Sequence, residues 1–82
     1  MLLQNILEDS ARKTPQKIAL VHRGERLTYG EIDRKANKAA ALLRSQGVRR
    51  GDRVAIFLDN AIESVIALFG ILKADAVFLM LS

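Results

Sequence analysis

The chain of 82 residues contains no cysteine, one histidine and one proline. Without cysteine it forms neither a disulfide nor a thiolate metal or redox site, and His22 alone cannot build a metal site from imidazoles. Its longest stretch without a charged residue runs from Ser64 to Leu72 and has nine residues, whereas roughly 20 are needed to cross a bilayer. We therefore expect other residue types to carry the function, and no membrane span.

The N-terminal residues lack the features of a secretory signal. No Lys or Arg precedes the apolar residues of Met1 to Leu7, and two acids, Glu8 and Asp9, follow them directly. A signal peptide has the opposite arrangement, with a basic region before its apolar core. This pattern predicts a cytoplasmic location.

Positive charge is concentrated in the middle of the chain. The formal net charge is +4, and residues 34–53 alone contain seven basic residues and one acid, Asp52. Nucleic-acid-binding modules show such an excess, but the four aromatic residues form no recognisable stacking platform and no groove-reading motif is present. We therefore favour a solvated helix face and do not expect nucleic acid as a partner. The basic residues are Arg34, Lys35, Lys38, Arg44, Arg49, Arg50 and Arg53.

The first half of the chain predicts a helix, a β-hairpin and a second helix. Apolar residues at helical spacing indicate a short helix before Pro15. Two short extended segments then flank the pair Arg23-Gly24 and predict a hairpin. Thr28 and Glu31 form a capping box for a helix that ends at Gly47.

The second half predicts a βαβ unit. Val54 to Leu58 and Ala76 to Leu81 are apolar runs of strand length, and Asn60 with Glu63 is a capping signature for a helix that extends to Lys73. Two strands joined by a helix in this order are expected to be parallel. The fold class is therefore α/β: an N-terminal helix, a hairpin, a helix and a βαβ unit.

The apolar surface of this unit is larger than the chain can cover by itself. Val65 to Leu72 is apolar on every side, as in a helix buried all round, and the two strands lack the alternation of half-exposed strands. We interpret the chain as an incomplete portion of a larger three-layer domain. The alternative is a small protein that self-associates through Val65 to Leu72 and Ala76 to Leu81.

No group of residues forms a recognisable catalytic, cofactor-binding or metal site. The five glycines match neither Gly-x-Gly-x-x-Gly nor a nucleoside triphosphate loop, and no Gly-Lys pair occurs. The serines have only His22 as a possible base, and the carboxylate pairs lie where helix capping explains them. We therefore predict no site residues of any of these three kinds.

Four motifs follow one another with defined gaps. They are LTYGEI at 27–32, ANKAAAL at 36–42, GVRRGDRVAI at 47–56 and LKADAVF at 72–78. Together they resemble the opening of the adenylate-forming (AMP-binding) superfamily, which includes acyl-CoA synthetases, nonribosomal peptide synthetase adenylation domains and luciferase-like ligases. Two residues depart from the family pattern: Asp75 stands where Gly is usual and Met80 where Pro is usual. If that Gly has a positive φ, Asp adopts it at some cost.

The resemblance implies an ATP-dependent, AMP-forming ligase that joins a carboxylic acid to a thiol. Its cofactors would be ATP, magnesium and CoA or a phosphopantetheine thiol. None of the family's nucleotide-binding or catalytic motifs is among the four. We therefore expect residues 1–82 to be a partial N-terminal subdomain, a scaffold fragment that is inert by itself and has the remainder of the ligase domain as its partner.

Two other functions stay open. One is a free-standing interaction protein that docks through its apolar C-terminal helix and strand. The other is a basic nucleic-acid-binding module that uses Arg34 to Arg53. Neither the acid nor the thiol acceptor follows from the sequence.

Overall fold

Helices and strands alternate along residues 2–56 and 61–80, which are the parts of the chain that the computed structural model describes. This order confirms the predicted α/β class. The elements are α1 (Leu3–Lys13), β1 (Ile18–His22), β2 (Glu25–Thr28), α2 (Tyr29–Ser45), β3 (Arg53–Ile56), α3 (Ala61–Lys73) and β4 (Val77–Met80).

The hairpin of β1 and β2 is antiparallel, as predicted. Its register pairs His22 with Glu25, which leaves Arg23 and Gly24 as a two-residue turn. Both turn residues have a positive φ, 50° and 83°, as a type I′ turn requires, and this turn matches the twist of the two strands. The hairpin directs Leu27 into the core, where its side chain is buried.

The capping box at the start of α2 is formed as predicted. The Glu31 amide donates to Thr28 Oγ1 at 3.1 Å, and the Thr28 amide donates to Glu31 Oε1 at 2.8 Å. The hydrogen bonds from Thr28 hold the pKa of Glu31 below its ordinary value. At the other end Gly47 has a φ of 94°, the left-handed conformation that glycine adopts at helix C-termini.

The second half of the chain is the predicted βαβ unit. β3 and β4 are parallel neighbours, with Arg53 opposite Val77 and Ile56 opposite Met80, and α3 connects them and ends at Lys73. Within the described residues the strands are Arg53–Ile56 and Val77–Met80. Residues 57, 58 and 81 of the predicted apolar runs, and Asn60 of the predicted cap, lie outside the described residues.

The turn before β4 explains one departure from the family pattern. Asp75 has a φ of 60°, a conformation that glycine adopts at little cost. The Asp75 carbonyl accepts a hydrogen bond of 2.8 Å from Gly51 N, and Val77 N donates to Asp52 O at 2.7 Å. These bonds join the turns that precede the two parallel strands. The position therefore requires the left-handed backbone whichever residue occupies it.

The buried side chains form two clusters, one on each side of the contact between α2 and α3. One cluster lies below the hairpin and α1, and the other lies against the parallel strands. The first contains Leu7, Leu27, Ile32, Ala36 and Ile62, and the second contains Ile56, Ile71 and Ala76.

Small residues bring α2 and α3 close together. Gly70 of α3 is buried, and a Cβ atom added there would lie only 2.6 Å from the Cβ of Ala39 in α2. Such a distance is a severe overlap, so any larger side chain forces the helices apart. Gly70 is therefore a packing requirement, and it outweighs the cost of a glycine inside a helix.

Replacing Thr28 by Ala tests the cap. We expect Thr28→Ala to lower the free energy of unfolding by about 1 kcal/mol, because Glu31 N loses its side-chain acceptor. Ser10→Ala is the control, since Ser10 lies inside α1, where Ala is the better helix former. Urea unfolding followed by circular dichroism measures both, and equal losses would contradict the assignment.

Candidate functional site

Three helices meet at the ammonium group of Lys73. This residue is the last of α3, and its side chain is only 5% exposed. Its Nζ lies 2.8 Å from Oε2 of Glu8 in α1 and 2.7 Å from Oδ1 of Asp33 in α2. One buried cation therefore joins α1, α2 and α3, and we call these three residues the Lys73 cluster.

The charges of the cluster stabilise one another. Desolvation is the largest single effect on Lys73 and lowers its pKa, but contacts with Asp33 and Glu8 outweigh it, so the pKa lies above its ordinary value. The hydrogen bond from Lys73 holds the pKa of Glu8 below its ordinary range. Both groups are therefore charged at neutral pH, as a buried ion pair must be if it is to stabilise the fold.

Two further hydrogen bonds hold the end of α3 beside the cluster. Gln4 Nε2 of α1 donates to the carbonyl of Leu72 at 3.2 Å, and an Arg44 guanidinium nitrogen of α2 donates to the carbonyl of Lys73 at 2.6 Å. The last carbonyls of a helix have no partner within the helix. Side chains of the two other helices supply those partners here.

The Lys73 cluster was not predicted from the sequence. Lys73 was expected only as a helix end and as part of a motif. The available signal is that each acid follows a core residue directly, Glu8 after Leu7 and Asp33 after Ile32. That spacing places an acid at the border of the core, but it does not show which cation the acid meets.

The Lys73 cluster has a structural role. An ammonium paired with two carboxylates is neither a nucleophile nor a base at neutral pH, because its charged form is the favoured one. Among residues 2–56 and 61–80, no group of three or more His, Asp or Glu side chains is placed to hold a metal ion. His22 is half-buried at the end of β1.

An apolar cavity of about 310 Å³ lies between α2, α3 and β3. Its walls consist of aliphatic side chains and offer no charged partner, so they do not fit a nucleoside triphosphate or magnesium, both of which need polar ligands. The cavity suits apolar side chains. Its lining residues are Ala39, Leu42, Leu43, Val54, Ala55, Ile56, Ala67 and Ile71.

Exposed apolar side chains occur on α1, β1, α2 and β4. Val77, Phe78 and Leu79 are 47%, 36% and 43% exposed. The apolar helix is better covered than the sequence predicted, because residues 65–72 are all half-buried or buried against α2 and the strands. The parallel strand pair is thus the part of the fold that another element would cover.

No helix in the described parts of the chain combines the length and the apolar character that a bilayer span requires. This agrees with the short apolar runs of the sequence.

Residues 7–82 match the family model AMP-binding, described as AMP-binding enzyme. The chain therefore belongs to the AMP-binding enzyme family, as the four motifs suggested. The match includes the helices and strands that surround the Lys73 cluster and the apolar cavity.

Relatives of the chain include a synthase and a CoA ligase. Bacitracin synthase 1 of Bacillus licheniformis is 44% identical over 77 residues, which are 94% of this chain and 2% of that protein. A medium/long-chain-fatty-acid–CoA/3-oxocholest-4-en-26-oate–CoA ligase of Mycolicibacterium smegmatis is 40% identical over 75 residues, 92% of this chain and 14% of that protein. The chain thus spans a small part of the relatives that it matches.

The fold is also shared with a solved structure. The nonribosomal peptide synthetase FmoA3 superposes with a TM-score of 0.94 at 40% identity, over 99% of this chain and 9% of that one. The described arrangement is therefore similar to that of a small segment of FmoA3.

Substituting Lys73 tests the cluster. We expect Lys73→Met to lower the free energy of unfolding by about 1–3 kcal/mol at pH 7, because two carboxylates lose their partner. Lys13→Met is the control, since Lys13 is exposed and such substitutions usually change stability by less than about 0.5 kcal/mol. Equal losses in urea unfolding would contradict a role for the cluster.

The stability difference between wild type and Lys73→Met should depend on pH. The Glu8 contribution is present above its unfolded pKa near 4.5 and is lost as the pH falls through its lower folded pKa. The Lys73 contribution is present below 10.5 and is lost as the pH rises through its higher folded pKa. The difference between wild type and Lys73→Met should thus be largest between these limits, and a difference independent of pH would contradict the ionic origin.

The exposed strand predicts self-association. We expect light scattering to show oligomers of the chain at about 100 μM, because exposed strand edges and apolar faces associate in this range. Leu79→Lys should reduce the association, whereas Val21→Lys, a change at a 58% exposed residue of β1, should leave it unchanged. A strictly monomeric wild type would contradict this expectation.

Proposed function

We propose that this chain is a scaffold segment of an ATP-dependent, AMP-forming ligase that joins an acyl or aminoacyl carboxylic acid to a thiol, and that the segment is catalytically inert by itself. The match of residues 7–82 to the AMP-binding family carries the proposal. The relatives include bacitracin synthase 1 and a medium/long-chain-fatty-acid–CoA ligase, and the second of these supports an acid-activating ligase. The location that we propose is cytoplasmic.

The residues of the chain support a scaffolding role. The ammonium of Lys73 is already paired with Glu8 and Asp33, and the apolar cavity offers no ligand for a phosphate or a magnesium ion. When bound to the rest of such a ligase, ATP and magnesium would supply activation of the carboxylic acid. The segment would contribute a rigid helix pair and a parallel strand pair.

The exposed face of β4 and the cavity beside β3 are the surfaces that we assign to the remainder of the ligase domain. Val77 and Leu79 are 47% and 43% exposed in the chain alone, and parallel strands are normally covered on both faces. Covering them would complete the core. The proposed partner is therefore the remainder of the ligase domain, which belongs to the same polypeptide in the relatives.

A chimera tests the scaffold proposal. The segment of the M. smegmatis ligase that matches this chain is replaced by the corresponding residues of the chain, and fatty-acid-dependent ATP–pyrophosphate exchange is measured. We expect activity within about tenfold of the parent ligase, a change of about 1.4 kcal/mol in the barrier. A control chimera that also carries Lys73→Met should be less stable to heat. A chimera that folds, as shown by cooperative unfolding, but has no activity would contradict the proposal.

The isolated chain supplies the complementary experiment. We expect no pyrophosphate exchange and no calorimetric ATP binding tighter than about 1 mM, which corresponds to about 4 kcal/mol. Measurable exchange by the chain alone would show that it is not inert.

A free-standing interaction protein is the second candidate, and the exposed apolar residues of β4 favour it. Size exclusion of the chain with the complementary part of the M. smegmatis ligase separates the two functions. Co-elution of the two parts supports the scaffold. A chain that stays monomeric and elutes separately from the complementary part supports the interaction protein.

A further inference from the structure

The outer face of α2 carries an exposed row of cations. Arg34, Lys35 and Lys38 are all exposed and lie opposite the buried residues Ile32 and Ala36. Their spacing of three and four places them on one side of the helix. Leu42 continues the row by one turn and is 61% exposed. We call Arg34, Lys35, Lys38 and Leu42 the basic face of α2.

The charge of this face is only partly offset within the described residues: none of its three cations forms an ion pair, and Arg34 and Lys35 attract Glu31 without direct contact. The acids close to it in sequence have other partners. Glu31 accepts from Thr28 N at 2.8 Å, and Asp33 lies 2.7 Å from Lys73 Nζ.

Further positive charge lies just beyond the C-terminal end of α2. Arg49, Arg50 and Arg53 are exposed, and the single acid among them, Asp52, accepts a hydrogen bond of 2.8 Å from the backbone of Arg49. These cations add to the positive potential that an approaching molecule meets.

We infer that the basic face of α2 is a docking surface for an acidic amphipathic helix of a partner protein. The positive charge of the face favours a negatively charged partner. The spacing of its side chains favours a helix. Arg34, Lys38 and Leu42 form a row at intervals of four residues, which is the ridge that packs into the groove of another helix. The row is about 12 Å long at 1.5 Å per residue, so two to three turns of a partner cover it.

Leu42 distinguishes this partner from a nucleic acid. A helix with carboxylates on its flanks and an aliphatic residue between them covers the leucine and pairs with the cations. A phosphate backbone would place charge against that apolar side chain. The face also lacks an aromatic residue for base stacking, because Tyr29 and Phe69 pack against the core and Phe78 lies on β4.

The three cations of the face do not line the cavity beside β3 and do not lie on β4, the two surfaces assigned to the remainder of the ligase. Leu42 lies at the border, because its side chain also lines that cavity. Loss of docking would leave the ligase proposal intact, and failure of the chimera would leave the docking surface intact.

Fluorescence anisotropy with the full chain tests the inference. The probes are a labelled amphipathic peptide of 20 or so residues, with Glu at intervals of four beside a leucine row, and a labelled DNA duplex of similar length. Both are titrated at low micromolar chain concentration in moderate salt, because salt weakens both kinds of contact. We expect the peptide to bind more tightly than the duplex.

Charge-matched variants show where the probes bind. Replacing Arg34, Lys35 and Lys38 by Gln should weaken peptide binding by about tenfold, as expected when cations facing an acidic partner are removed. The control replaces Lys13, Lys17 and Arg26 by Gln, which removes the same charge from exposed positions elsewhere, and it should change binding less than about twofold. Leu42→Ser should weaken peptide binding and leave duplex binding unchanged.

Three results would overturn the inference. Equal losses in the two triple variants would show attraction by net charge alone. Tighter binding of the duplex would favour a nucleic-acid partner, and unchanged peptide binding in Leu42→Ser would remove the helix-packing argument. Circular dichroism of each variant confirms that α2 is still formed, so that a lost signal reports lost docking.

Discussion

A buried positive charge determines how the three helices of this chain are arranged. Lys73 reaches Glu8 in α1 and Asp33 in α2 from the last turn of α3. Removing a charge from water is costly, so this lysine is tolerated only where both acids are in place. The requirement constrains the positions of α1 and α2 together. Side chains of the same two helices also donate hydrogen bonds to the last carbonyls of α3, which further hold the end of this helix in place.

The packing of α2 against α3 and of the two parallel strands depends on these contacts at the end of α3. With the end of α3 held, its buried Gly70 lies against Ala39 of α2, and the two buried clusters form on either side of this close contact. The positions of β3 and β4 then depend on where α2 and α3 end, because each strand comes after one of these helices in the chain. Hydrogen bonds between Gly51 and Asp75 and between Asp52 and Val77 align their starts. The parallel pair is therefore positioned by the helices and by its own turns.

The surface divides into regions of different chemistry. Apolar residues are exposed on β4, cations are exposed on the outer face of α2, and the buried ammonium of Lys73 is paired with Glu8 and Asp33. In the proposed ligase the first region would join the core of the complete domain, whereas the second has no such use inside the chain. The proposed scaffold role and the proposed docking surface therefore depend mainly on different residues.

Local interactions explain what the sequence alone determined. The capping box of Thr28 and Glu31, the Arg23-Gly24 turn, the extents of α2 and α3 and the parallel βαβ order were all predicted correctly, because each depends on neighbours close in the chain or on one connection. The family also followed from the sequence, since its four motifs are short and contiguous. The sequence raised a left-handed backbone at Asp75 only as a condition, because the family usually has glycine there, and the structure shows that the condition is met.

Long-range contacts decided the rest. The Lys73 cluster joins residues that are 65 positions apart in the case of Glu8, and no local pattern specifies which acid meets which cation. The coverage of α3 was underestimated for the same reason, because burial of its far side depends on how α2 and the strands pack against it. Tertiary structure alone fixes such pairings, since the desolvation of a charge and the overlap of two Cβ atoms depend on distances that are set only when the helices meet.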